Sequence, residues 1–114
     1  MTAIDSSLQD RSSALHERSI VIDALDVSKF DRAHFEKMRA GGVTAVNATV
    51  VMPGANFRQS VDGIRGFDAL IEQNADIATH VLTAGDIERA KAAGKVGIIY
   101  GFQNAVALEG DPRL

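Results

Sequence analysis

The sequence predicts an α/β fold in which parallel strands are covered by outer helices. Three observations carry that expectation. Apolar, β-branched runs alternate with segments of helical period in the order α-β-α-β-α-β-α-β. The helical segments carry recognisable start and stop residues. The first strand run is apolar without alternation, which suits a parallel sheet covered on both faces.

Residues 6–18 read as a short polar helix with Leu8, Ala14 and Leu15 near one side. Residues 19–25, "SIVIDAL", read as a buried strand. Asp31 is placed to cap "RAHFEKMRA", with Phe30 and Phe35 at the positions of a hydrophobic staple. The Gly41-Gly42 pair supplies a left-handed stop. Residues 43–52, "VTAVNATVVM", are the second strand by β-branched content. "PGAN" is a loop, and Asn56 can cap the helix after it.

Residues 57–75 have a clear helical period through Phe57, Val61, Ile64, Phe67 and Ile71. Gly63 and Gly66 each weaken that helix by roughly 1 kcal/mol relative to Ala, and invite close packing on a sheet. "IATHVL" at 77–82 is a short strand. Thr83 and Asp86 stand three apart as a capping box for "AGDIERAKAAGK", which Gly94 closes. "VGIIYGFQN" at 96–104 is the last strand, and Pro112 argues against a helix in the tail.

Two architectures suit this alternation with right-handed crossovers. One is a small open doubly wound sheet. The other is the N-terminal part of a (β/α)8 TIM-type barrel, whose full form takes about 250 residues. Both put an active site at the carboxyl ends of the strands. Those ends carry Asp23, Asp26, Asn47 to Thr49, Thr83, Gln103 and Asn104. The whole chain, 1–114, reads as one partial-barrel unit with residues 1–18 as an N-terminal helical extension.

Composition narrows the function classes. The chain has 46% hydrophobic and 24% charged residues, as soluble globular domains do. A net charge of −3 with scattered basic residues argues against a nucleic-acid surface. The absence of cysteine excludes disulfides and thiolate metal sites. No apolar run approaches the roughly 20 residues of a membrane span, and the N-terminus lacks a secretory pattern. No membrane association and a cytoplasmic location are the expectations.

Asp23 and Asp26 are the candidate metal residues, as an oxygen-ligand pair for a divalent cation; either could instead serve as a base. The competing reading is a solvated strand end in which Asp26 opens a turn. Gln103 and Asn104, with Asn47, are candidate substrate-binding residues, since carboxamides hold a carbonyl or carboxylate by hydrogen bonds; they equally suit satisfaction of loop backbone. His16, His34 and His80 have no histidine partner at a metal-ligand spacing. "AAGKVG" lacks the first glycine and the hydroxyl residue of a P-loop, and "GGVTAV" follows a helix, so neither is a nucleotide motif.

The pieces "ALHERSIVIDALD", "MRAGGVTAVNATV" and "TAGDIERAKAAGKVGIIYGFQNAVAL" together resemble the N-terminal third of the membrane dipeptidase (renal dipeptidase-like) family of metallopeptidases in the amidohydrolase superfamily. The resemblance runs from about Ala14 to the C-terminus. It implies a (β/α) barrel, a two-zinc centre, and hydrolysis of dipeptide amide bonds by a metal-bridging hydroxide. In that family the first strand ends Asp-Gly-His-x-Asp, and the His and final Asp bind metal. The corresponding run here is Asp23-Ala24-Leu25-Asp26-Val27, which puts Leu25 and Val27 at those positions. A later strand ends Gly-x-Glu-Gly in the family; Gly101-Phe102-Gln103-Asn104 puts Gln103 where the bridging Glu would stand. Zinc is therefore expected from the family and opposed by the residues present.

The resemblance thus implies a dipeptidase-like segment of a divergent branch, without the usual di-zinc activity as this chain. Its partners would be a small peptide or amide substrate and either a second copy of the chain or the remainder of a longer one, because a barrel segment leaves strand edges open. The rival reading is a non-catalytic α/β binding or oligomerisation module. A small open sheet of receiver-like shape is the third, opposed by the lack of a late-strand Lys to accompany the acidic pair.

Overall fold

The computed structural model describes residues 3–114. The order of elements is α1 (Ala3–Arg18), β1 (Ile22–Asp26), α2 (Arg32–Ala40), β2 (Ala45–Thr49), α3 (Phe57–Gln73), β3 (Ala78–His80), α4 (Ala84–Ala93) and β4 (Val96–Gly101), then a 3-10 turn at Val106–Leu108. The four strands form one parallel sheet. This is the α/β class and the element order that the sequence predicts. Residues 1 and 2 of the expected N-terminal extension lie outside the described residues.

The helix boundaries follow from side chains that close the free backbone groups. Asp31 accepts the His34 N–H at 2.8 Å to start α2. Phe30 packs on Phe35 with ring centroids 6.0 Å apart, as the staple expects. Asn56 and Gln59 form a reciprocal capping box on α3, and Thr83 and Asp86 form one on α4. Gly94 closes α4 with φ 66°, and Gly42 follows α2 with φ 79°.

The strand order is β1-β2-β4-β3. β4 sits between β2 and β3, so the crossover after β2 passes over a position that β4 later fills. The alternation of faces along β2 and β4 then divides the sheet. Val46, Ala48, Val96 and Ile98 point into a core with Phe35, Ile71 and Ile77. On the opposite face Ala45, Asn47 and Thr49 stand beside Gly97, Ile99 and Gly101 in register. Val81 closes the bottom of that face over Gly97, where an added β-carbon would lie 2.6 Å from Val81 Cγ2.

α3 packs tightly on the end of β2. A β-carbon on Gly63 would lie 2.7 Å from the Val50 carbonyl oxygen, so glycine permits the approach. Gly66 faces open space and plays no such part.

The sequence predicts a first strand buried on both faces, and the structure corrects this. β1 is exposed along most of its length. It is an edge strand paired only with β2. α1 does not cover it: residues 6–18 are all exposed, and His16 Nε2–H donates to the Gly41 carbonyl at 2.7 Å to hold the helix by its end. Among the described residues no helix is long and apolar enough to cross a membrane.

Candidate functional site

The carboxyl ends of β1, β2 and β4 meet at a cleft of about 700 Å³. Val27 and Lys29 come from the loop after β1, Thr49 from the end of β2, Met52 and Pro53 from the next loop, and Gln103 from the loop after β4. Phe67 of α3 and Phe30 form its floor, meeting edge to face at 5.4 Å. The strand-end position is the one the sequence predicts for a site.

The carboxamides differ in their commitments. Gln103 Nε2 donates to Thr49 Oγ1 at 3.2 Å, which ties the end of β4 to the end of β2. Asn104 Nδ2 donates to the Pro53 carbonyl at 3.0 Å, and its Oδ1 accepts the Val106 N–H at 3.1 Å. Asn104 is thus occupied with loop backbone. Asn47 lies one alternation below Thr49 on the same face, against Gly101. Among the described residues its carboxamide has no hydrogen-bond partner.

The two aspartates are engaged by separate partners. Between Asp23 and Asp26 the register slips, because three steps on β1 oppose two on β2. Such a bulge re-aims the side chains beyond it. Asp23 Oδ1 turns back to accept the Leu25 N–H at 3.1 Å. Asp26 accepts the Ser28 N–H at 2.7 Å on one oxygen and the His34 Nε2–H at 2.8 Å on the other. Burial pushes the Asp26 carboxyl up. Hydrogen bonds from Ser28 and His34, with the His34 charge, outweigh this and hold it below the usual carboxylate range.

The Asp26–His34 contact is the feature that sequence reasoning misses. The two residues are eight apart, across a loop and a helix start, so no short-range motif announces them. A carboxylate at a strand end followed by a histidine in the first turn of the next helix is the available signal. His80 is similarly placed by packing: its ring stacks on Tyr100 at 3.9 Å, and the Tyr100 hydroxyl donates to Asp68 at 2.7 Å.

A dinuclear zinc centre needs several charged or imidazole donors converging on open space. Leu25 and Val27 have no lone pair to offer and stand 59% and 66% exposed. Gln103 is neutral and spends an N–H on Thr49. Both Asp26 oxygens already accept hydrogen bonds. Among the described residues no group of three His, Asp or Glu gathers where a metal could sit. The donor set present here does not fit such a centre.

No protein-family profile matches the chain, and no curated protein matches it. Among solved structures, the crystal structure of an amidohydrolase from Pseudomonas aeruginosa is similar to it. The TM-score is 0.83 and the identity 45%, over 87% of this chain and 30% of that protein. The chain therefore spans about a third of that relative's length. Sequence and backbone agree together over most of this chain, which supports the amidohydrolase superfamily and fits a parallel sheet that is part of a (β/α) barrel.

Proposed function

We propose that this chain is a dipeptidase-like segment of an amide-bond hydrolase, in which the strand-end cleft receives the amide group of a small peptide. The likeness to the Pseudomonas aeruginosa amidohydrolase, 45% identical over 87% of the chain, carries the reading. Asn47 supplies a free carboxamide lower on the face that a barrel turns inward, and Gln103 supplies a carbonyl oxygen in the lining of the cleft. Asn104 shapes the rim through Pro53. Asp23 and Asp26 are the local carboxylates that a single cation would draw on, and no dinuclear zinc centre assembles on Leu25, Val27 and Gln103.

Two measurements on the purified chain test this. Titration with a panel of L- and D-dipeptides should shift the amide resonances of Asn47 and Gln103, and Asn47→Ala should weaken that binding several-fold. Elemental analysis should find well under one zinc per chain. Two zinc ions per chain, or dipeptides that leave Asn47 and Gln103 undisturbed, would overturn it.

Association is the second reading, and separate observations favour it. Ile22, Leu25, Val27, Met52, Leu82 and Phe102 are all exposed, and β1 and β3 are open edges of the sheet. Such edges and apolar surface favour an association module, with a second copy of this chain covering them. Sedimentation showing a concentration-independent monomer would remove this alternative.

A further inference from the structure

We propose that the strand-end cleft is a binding site for a small amphiphilic monocarboxylate, with Lys29 receiving the carboxylate and the Phe30–Phe67 floor receiving the apolar body. The proposal deepens the amide-hydrolase reading, shares its cleft, and adds the charge and shape of the ligand.

The sign of the ligand's charge comes from Lys29. It lines the cleft, and no Asp or Glu does. Arg32, Arg89 and Arg113 each pair with a carboxylate, but Lys29 has no carboxylate within ion-pair distance among the described residues. The acids near it in sequence are engaged elsewhere. Asp26 accepts from Ser28 and His34, and Asp31 caps α2 through the His34 N–H. In a chain of net charge −3, a cleft with one cation and no anion is a local reversal of sign.

The lining decides the rest. Phe30, Phe67, Met52, Pro53 and Val27 make the walls mostly apolar. A ligand pocket of this size with few polar groups suits an apolar molecule carrying one charged end. A phosphate dianion calls for several cations or a nest of backbone N–H groups, and one ammonium supplies neither. The Thr49 hydroxyl and the Gln103 carboxamide offer the neutral hydrogen bonds that would orient the charged end.

The test uses 4-phenylbutyrate and its neutral analogue 4-phenylbutyramide, titrated into the isotope-labelled chain and followed by NMR. The acid should bind about tenfold more tightly than the amide, the size of one charge-assisted hydrogen bond. Its shifts should centre on Lys29, Phe67 and Gln103. Lys29→Gln should abolish the acid–amide difference, Lys29→Arg should keep it, and Phe67→Ala should weaken both compounds alike. Far-UV circular dichroism checks that each variant stays folded. Equal affinity of acid and amide, no binding of either, an unchanged preference in Lys29→Gln, or tighter binding of inorganic phosphate would each overturn the proposal. Dipeptides failing to engage Asn47 would sink the hydrolase reading and leave the acid–amide preference standing, so the two failures are distinguishable.

Discussion

Asn47 Oδ1 occupies the space that a side chain at Gly101 would need, overlapping the place where a β-carbon would sit. The two residues are diagonal neighbours across β2 and β4, since Asn47 pairs with Ile99 and Gly101 with Thr49, and the missing carbon at 101 is what leaves room for the amide. Gly101→Ala should therefore push Asn47 from its place at a cost of about 1 kcal/mol. The double variant Gly101→Ala, Asn47→Ala should recover most of that loss. Urea unfolding of the two single variants and the double closes the cycle, and a coupling below about 0.5 kcal/mol would contradict the contact.

Removing His34 should unpair a half-buried carboxylate. His34→Ala is expected to lower stability by about 1–2 kcal/mol at neutral pH. The pH dependence comes from the depressed Asp26 carboxyl. A depressed acid contributes stability above its unfolded value, near 3.9, and loses it as pH falls through the folded value. The gap between wild type and variant should thus persist from neutral pH to about pH 4 and shrink below it. A gap that stays constant down to about pH 2 would show that Asp26 is not the partner that matters.

Two glycines in one helix should respond in opposite directions. Gly66→Ala adds a methyl group facing open space and should raise stability by about 0.5–1 kcal/mol through helix propensity. Gly63→Ala drives a methyl group to 2.7 Å from a backbone oxygen and should lower stability by about 1–3 kcal/mol. Thermal unfolding of both proteins compares them directly.

Tyr100 is the sole tyrosine, so its phenol can be titrated by absorbance. Burial, then the hydrogen bond to Asp68 and the negative charge there, push it well above its ordinary value. The protonated phenol is the favoured partner, so its stabilisation is full below about pH 10 and fades as pH rises through the folded value. Asp68→Asn should bring the phenolate transition to lower pH. An unchanged transition would mean that burial alone sets it.

Local chemistry makes much of this fold legible in the sequence. Asp31, Asn56, Thr83 and Gly94 each announce a helix end through a hydrogen bond or a left-handed turn, and each does so within four residues. The strand order is not legible, because nothing in β3 or β4 states which will lie beside β2. The exposure of β1 is hidden for a related reason: "SIVIDAL" is apolar enough for burial, and whether a helix covers it is decided elsewhere. At the site, the strand-end location comes from topology, and Gln103 and Asn47 from residue type. The division of labour among them does not, since it depends on a bulge in β1, on Thr49 at the end of β2 accepting from Gln103, and on Pro53 in the following loop accepting from Asn104.

The placement of β4 inside the sheet has a bearing on how the chain is made. A polypeptide emerging from the ribosome exposes Ala78–His80 before Val96–Gly101 has emerged, and the short strand has no neighbour to join until then. The first two strands can meet early, but the sheet is sealed only when the late segment slides between them and the waiting one. Any pause after Ala78–His80 has emerged and before Val96–Gly101 has would hold the nascent protein with an unfilled slot beside Ala45–Thr49, open to whatever strand arrives first.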